Sequence, residues 1–186
     1  MSENNVSSAP KKEEKNFKGF DLSKLKLPFG SDKILRVLPQ RWPLLLIDRV
    51  EEVCMDYVVA IKATTIAEHS LMGHFEGYPV TPGVVMIESC AQACTLLAYF
   101  RDHHPLDRSK VKVGVRMVSL DKVKLRSEVL PGDVLRVKAS HVSTKRTKDN
   151  IFHRFSCVGK VGDRVSIEAQ MTGYFFNDIS SDSIEI

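Results

Sequence analysis

The chain has 186 residues, 43% of them hydrophobic and 27% charged, which is the composition of one soluble domain that forms a core. Its formal net charge of +4 is too small to indicate a nucleic-acid-binding protein, although a local basic patch can still attract an acidic partner. None of its four cysteines forms a C-x-x-C pair, so no metal site is expected, and Cys90 and Cys94 are interpreted as small core residues.

The N-terminal segment, residues 1–30, is predicted to be a flexible tail, because its first 18 residues are mostly Ser, Asn, Lys and Glu. The folded domain is predicted over residues 31–177, with 178–186 as a C-terminal tail. It begins with a short helix that Ser31 can cap and that Pro39 stops. Runs of Val, Ile and Leu then predict strands at 44–53 and 57–66. Since no apolar segment follows the N-terminal lysines, the protein is expected to be cytoplasmic.

The most apolar stretch of the chain, residues 84–100, predicts one long helix. Thr81 can cap this helix, and Pro82 suits its first position, where the missing N–H costs nothing. Nearly every face is apolar, so the helix must be enclosed by the rest of the domain. Because the apolar run is interrupted and falls short of the roughly 20 residues that cross a bilayer, no membrane insertion is expected.

The second half of the chain predicts strands joined by short turns. Alternating patterns indicate strands near 111–117 and 123–129, and a turn at 131–133 leads into a strand at 134–143. A hairpin is predicted from 151–161 and 165–176, with its turn around Gly162. The pattern favours an α+β domain in which an antiparallel sheet of about six strands covers one long helix.

One carboxylate, Glu88, lies inside the apolar helix, and burying it without a partner would cost several kcal/mol or more. It needs a hydrogen-bond donor or a proton, and Gln92 lies one turn further along the same face. The helix alone leaves open whether Glu88 is a structural acid satisfied by backbone groups or a working one.

A histidine in the preceding loop favours the second alternative. His74 lies in a segment restricted by Gly73, Gly77 and prolines, just ahead of the helix, and makes a candidate acid/base pair with Glu88. At the helix start, the free N–H groups of Gly83 and Val84 can hold a developing oxyanion. Base, acid and oxyanion donor together suit proton abstraction next to a carbonyl, with loss or addition of water at the neighbouring carbon.

Four motifs resemble one enzyme family, the FabZ-type (3R)-hydroxyacyl-[acyl carrier protein] dehydratases, in order over residues 32–176. They are LPQRWPLLLIDRV at 38–50, GHFEGYPVTPGV at 73–84, IESCAQA at 87–93 and LPGD at 130–133. The resemblance implies a hot-dog fold, in which the sheet wraps the central helix. It also implies a homodimer or a trimer of dimers, with the His and Glu of one site supplied by different subunits.

The resemblance also implies residue roles. His74 would take the C2 proton, and Glu88 would protonate the C3 hydroxyl so that it leaves as water, giving a trans-2-enoyl thioester in fatty acid or related acyl-chain biosynthesis. Gly83, Val84 and Gln92 would bind the substrate, with the Gly83 N–H on the thioester carbonyl. No metal or organic cofactor is needed. Glu88 separates the chain from FabA-type relatives, which carry Asp at the matching position.

The implied partner is acyl carrier protein, which is acidic. Lys122, Lys124 and Arg126 recur at period two and are candidate docking residues, or simply a solvated strand face. Two departures from the family pattern are Gln40, where many members have His, and Glu76, where many have Pro. The alternatives are a hot-dog thioesterase, which the His74–Phe75 loop argues against, and a catalytically weak subunit that binds acyl chains or carrier protein.

Overall fold

The computed structural model describes residue 22 and residues 25–102, 113–147 and 150–177. In chain order the elements are β1 (Phe29–Gly30), α1 (Ser31–Val37), β2 (Arg49–Val53), β3 (Tyr57–Ala63), α2 (Gly83–Arg101), β4 (Val113–Leu125), β5 (Val134–Arg146), β6 (Ile151–Val161) and β7 (Arg164–Asn177). A three-residue 3₁₀ helix, His69–Leu71, lies shortly before α2. The predicted α+β class, with one long central helix, is confirmed.

All paired strands run antiparallel and form one sheet in the order β1-β2-β3-β5-β6-β7-β4. The count is seven rather than about six, because the two-residue β1 adds a short edge next to β2. The predicted hairpin is confirmed: β6 pairs with β7 along its length, and Gly162 takes a left-handed φ of 57° at the turn. This fits the freedom that glycine has in that region.

The core lies between the sheet and α2, which contacts all five strands from β3 to β7. Alternate residues of β5 point inward, and Leu135, Val137 and Ala139 are fully buried. The cysteines behave as small core residues, since Cys90, Cys94 and Cys157 are buried, and the sulfurs of Cys94 and Cys157 are 3.2 Å apart. Their packing links α2 directly to β6.

The chain already joins the core ahead of α1. Leu25 and Phe29 are buried, and the Phe29 ring packs edge-on against Phe100 near the end of α2, with ring centres 6.2 Å apart. Part of the segment that the sequence assigned to a tail therefore packs on the domain. The predicted C-terminal tail, 178–186, lies outside the described residues.

Local details differ from the sequence predictions in several places. Residues 113–117 and 123–125 of the two predicted strands belong to one long strand, β4, whose register shifts at two points, and residues 126–129 are not in a strand. Residues 44–48 are not in a strand, and β2 begins only at Arg49. The predicted caps were wrong: α1 is capped by Gly30 rather than Ser31, and α2 by Pro82 rather than Thr81, with no side-chain cap bond in either helix.

Candidate active site

Glu88 lies near the middle of the first half of α2, where it is partly buried, and two side-chain amides hold it. Gln92 Nε2 donates to Glu88 Oε1 over 2.9 Å, and Gln40 Nε2 donates to the same oxygen over 3.2 Å. Among the described residues, Glu88 Oε2 receives no hydrogen bond. One carboxyl oxygen is therefore fixed by the protein, and the other is left to act on a ligand.

The position of Gln92 depends on the irregular segment before β2. Its amide group donates to Leu44 O over 2.7 Å and accepts from the N–H groups of Leu46 and Ile47 over 2.9 and 3.4 Å. Together with the bond to Glu88, these contacts occupy both donor and both acceptor positions of the amide. Gln92 is fully buried, so its geometry points to positioning of Glu88 rather than to direct substrate contact.

Glu88 opens into a cavity of about 200 Å³ between α2 and the sheet, here called the Glu88 cavity. Its lining is mostly apolar and comes from α2, β4, β6, β7 and the residues after α1. The lining residues are Pro39, Gln40, Glu88, Ala91, Cys94, Thr95, Val115, Met117, Phe155, Met171, Thr172, Gly173 and Phe175. An apolar space with a single carboxyl group suits an acyl chain that carries one polar substituent.

His74 is oriented by a short bridge to the segment that leads into α2. Its Nδ1 lies 2.8 Å from Val80 O, and the Val80 N–H donates back to His74 O over 3.0 Å. A carbonyl oxygen can only accept, so Nδ1 donates this hydrogen bond, and the matching neutral tautomer has its lone pair on Nε2. This tautomer is the one that a general base needs. Phe75 stacks on the imidazole, with ring centres 4.1 Å apart.

The start of α2 presents the backbone donors predicted for an oxyanion. Gly83 and Val84 are the first two helical residues, so their N–H groups have no carbonyl four residues earlier inside the helix. The Thr81 N–H is taken by Val129 O, over 2.9 Å, which anchors the loop at this point. Glycine suits position 83, because a Cβ there would lie 2.4 Å from a methyl group of Leu125.

Within one described chain, His74 and Glu88 are not brought together. They share no hydrogen bond, and His74 lines neither of the two described cavities that Glu88 lines. Each side chain is held in place by its own contacts, so each could form a site with the other catalytic residue of a second chain. This arrangement agrees with a site in which the two residues come from different subunits.

The basic residues proposed for docking lie at the far end of β4. Lys122 has a left-handed φ of 51°, where the register of β4 shifts, so the strict period-two pattern is broken there. Lys122 and Lys124 are nevertheless exposed and line one shallow hollow with residues of β6 and β7. Arg126 lies beyond the strand end and is paired with Glu168 over 2.7 Å. Lys122 and Lys124 are thus the freer cations of the three.

Gln40 is the site residue that sequence reasoning missed. In the sequence it is only a departure from the family pattern, yet its amide donates to the carboxylate at the centre of the site. The two residues are 48 positions apart, so helix periodicity cannot relate them. The sequence signal that could have found Gln40 is its place in the 38–50 motif, which also contains the loop residues bound by Gln92.

Comparison with known proteins identifies the family. The model of the FabA-like domain matches residues 38–170. The 3-hydroxyacyl-[acyl-carrier-protein] dehydratase FabZ of Geobacter metallireducens is 38% identical over 148 residues, which cover 79% of this chain and 93% of that protein. The enzyme of the same name from Rhizorhabdus wittichii is 35% identical over 153 residues, with 82% and 92% covered. The chain belongs to the FabZ group of the FabA-like family.

A solved structure with a similar fold supports the assignment. A similar solved structure, the dehydratase heterocomplex ApeI:P from Xenorhabdus doucetiae, has a TM-score of 0.63 and is 16% identical, covering 87% of this chain and 97% of that one. At that identity the likeness concerns the fold alone, and it confirms the hot-dog arrangement. By length and composition α2 could cross a membrane, but 67% of its apolar window is buried inside the domain, as in a core helix.

Proposed function

We propose that this FabZ-group protein is a 3-hydroxyacyl-[acyl carrier protein] dehydratase, a hydro-lyase of fatty acid or related acyl-chain biosynthesis. The observation that carries the proposal is the carboxyl group of Glu88 at the wall of an apolar cavity. Gln40 and Gln92 hold one of its oxygens, and the other receives no hydrogen bond from the described residues. The relatives that share most of the chain are 3-hydroxyacyl-[acyl-carrier-protein] dehydratases by name. Nothing in the proposed chemistry requires a metal or an organic cofactor.

In the proposed reaction His74 Nε2 removes a proton from C2 of the acyl chain. The electron pair of that C–H bond becomes the second bond between C2 and C3, and the C3–O bond breaks. Glu88 delivers a proton from Oε2 to the departing oxygen, which leaves as water. The N–H groups of Gly83 and Val84 stabilise the charge that develops on the thioester oxygen. A proton then returns from His74 to Glu88 through solvent.

We further propose that a complete site needs two copies of the chain. Among the described residues, β4 pairs only with β7, so its other edge is free. Several apolar side chains of this strand are exposed, namely Met117, Val118, Leu120 and Leu125. An exposed apolar edge strand is a liability that pairing removes. Joining two copies there is consistent with a homodimer, alone or within a trimer of dimers.

The substrate carrier is proposed to be acyl carrier protein, with Lys122 and Lys124 in its docking surface. Both are exposed and face the same hollow, whereas Arg126 is already paired with Glu168. Replacing the two lysines by Ser should raise KM several-fold at low salt and much less at high salt, because salt screens exposed charges. The cytoplasmic location expected from the sequence remains a prediction.

The test is an assay of the purified protein with 3-hydroxybutyryl and longer 3-hydroxyacyl carrier protein, following enoyl thioester and free thiol together. Formation of the enoyl product without thiol release supports the dehydratase. Thiol release would point to a thioesterase instead. A folded protein that produces neither would be a binding subunit, and the proposal would be wrong.

A further inference from the structure

The amide group of Gln40 is only half used by the protein. Its nitrogen donates to Glu88 Oε1 over 3.2 Å, while its oxygen, Oε1, is buried and has no hydrogen-bond partner among the described residues. The orientation follows from the partner, because a carboxylate oxygen accepts and so faces the amide nitrogen. A buried carbonyl oxygen without a donor is unfavourable, so a donor is expected in the working state.

The surroundings limit what that donor can be. Gln40 lines the Glu88 cavity, whose walls are otherwise mainly apolar. The neighbouring amide, Gln92, has both of its N–H groups engaged, by Leu44 O and by Glu88. A donor that enters the cavity with the ligand would complete this amide, and it would lie close to the carboxyl group that acts on the ligand.

We propose that Gln40 is the residue that recognises the 3-hydroxyl group of the substrate, with its Oε1 accepting the hydroxyl proton. The inference rests on the proposed dehydratase function and deepens it. One amide then serves both partners of the reaction: its nitrogen holds Glu88, and its oxygen holds the oxygen that Glu88 protonates.

The hydrogen bond from the 3-hydroxyl group to Gln40 Oε1 strengthens as the reaction proceeds. The C3 oxygen receives a second proton from Glu88 while its own proton points to Gln40. As the departing oxygen gains positive charge it becomes a better donor, so the bond to Gln40 Oε1 is stronger in the transition state than in the bound substrate. Gln40 should therefore contribute to turnover as well as to the preference for hydroxylated chains.

Binding measurements on a matched pair of ligands test the proposal. The His74→Ala variant, which should not consume the ligand, is titrated with 3-hydroxybutyryl and with butyryl carrier protein, which differ only by the hydroxyl group. We expect the hydroxylated ligand to bind about tenfold more tightly, as one buried hydrogen bond allows. Adding Gln40→Met, of similar length but without donor or acceptor, should bring the ratio of dissociation constants several-fold closer to one, with Glu88 as the remaining contact of the hydroxyl group.

Two further variants separate recognition of the hydroxyl group by Gln40 from its support of Glu88. Gln40→His, whose neutral ring offers one donor and one acceptor, should keep most of the discrimination and guards against misfolding of Gln40→Met. Gln170→Met replaces a glutamine outside the cavity, where its Oε1 accepts from Arg154, and should leave the ratio unchanged.

Three results would overturn the inference. Gln40→Met could weaken both ligands equally and leave their ratio intact, which indicates support of Glu88 alone. It could shift the pH profile of kcat/KM without changing the ratio, which would mean that Oε1 accepts a proton from Glu88 itself. Or the ratio could be close to one before Gln40 is changed. Failure of the proposed function is distinct, since the unmodified protein would then form no enoyl product.

Discussion

The side chain of Gln92 carries the geometry of the site, because it connects a helix, an irregular loop and the candidate acid. Its carbonyl and amide groups satisfy two backbone N–H groups and one backbone carbonyl in residues 44–47, as well as Glu88. A regular strand would have paired these backbone groups with a neighbouring strand. Here one side chain replaces that ladder, so the loop and the carboxyl group depend on each other.

Replacing this side chain should therefore affect both stability and activity. Gln92→Leu leaves several buried polar groups unpaired and should lower the free energy of unfolding by at least about 1–3 kcal/mol. The control Gln170→Leu removes a side chain that, among the described residues, accepts only from the exposed Arg154, and it should change the free energy of unfolding by less than about 0.5 kcal/mol. Urea unfolding of both variants measures the difference, and equal losses would contradict the role of Gln92.

The two candidate catalytic residues should behave differently from Gln92. Glu88→Gln and His74→Ala should each lower kcat by about 100- to 10,000-fold, the usual contribution of general acid–base groups. Both are partly exposed, so the variants should remain folded and assembled. Single-turnover formation of the enoyl thioester gives the rate, and a value near that of the unmodified protein would remove the residue from the proposed mechanism.

For single residues, the sequence predicted that Glu88 is the acid and that it needs a hydrogen-bond donor, but it did not predict both donors. Gln92 follows Glu88 by one helical turn, and that spacing is local. Gln40 reaches Glu88 only because α1 and the loop after it pack next to α2, and a single sequence contains no record of that contact. Gln40 was accordingly noticed as a departure from a motif and not as part of the site.

Among the elements, the β6–β7 hairpin shows how closely the sheet packs. Gly159 on β6 faces Ile167 on β7, and a Cβ at position 159 would lie 2.6 Å from a methyl group of Ile167 and 3.1 Å from one of Leu135. Both neighbours are fully buried and cannot move aside. The glycine is therefore required by space and not by backbone conformation.

A comparison of two glycines tests this interpretation. Gly159→Ala should destabilise the protein by about 1–3 kcal/mol, the usual cost of overpacking a core. Gly83→Ala also meets a side chain, Leu125, but that residue is half exposed and can turn into solvent, so its cost should be under about 1 kcal/mol. Thermal unfolding gives the ranking, and a reversed order would show that the contact distances do not govern these sites.

The elements themselves were largely predictable, whereas their ends were not. The apolar run fixed α2 to within a residue or two, since burial on every face outweighs local preferences. Thr81 looked like a cap by residue type, but its N–H is bound by Val129 across the domain and its hydroxyl has no partner among the described residues. Long-range contacts decide such ends, so local rules miss them.

Across the whole molecule, a polar network ties the end of α2 to the β5–β6 hairpin. His153 is buried and lies 3.0 Å from Asp102 through Nε2 and 3.0 Å from Thr144 through Nδ1. His141 Nε2 lies 2.8 Å from the same threonine hydroxyl. Burial lowers the pKa of His141 to about 4, and the nearby Arg101 and His153 add to the effect. The folded protein therefore resists protonation of this group.

The network makes stability depend on pH in a definite direction. Unfolded His141 titrates near 6.5 and folded His141 near 4, so the unfolded state binds more protons between those values. The free energy of unfolding should fall as pH decreases from about 6.5 to about 4. The His141→Gln variant should lose less stability over that range. Urea unfolding at several pH values compares the two, and parallel curves would refute the contribution of His141.

The most direct test of the account concerns the sharing of one site by two chains. His74→Ala and Glu88→Ala proteins, each inactive alone, are unfolded together and refolded as a mixture. If each site takes His74 from one chain and Glu88 from another, half of the randomly formed dimers are mixed and one of their two sites is intact. We predict about one quarter of the unmodified dehydratase activity. Mixed dimers that form but stay inactive would contradict the account.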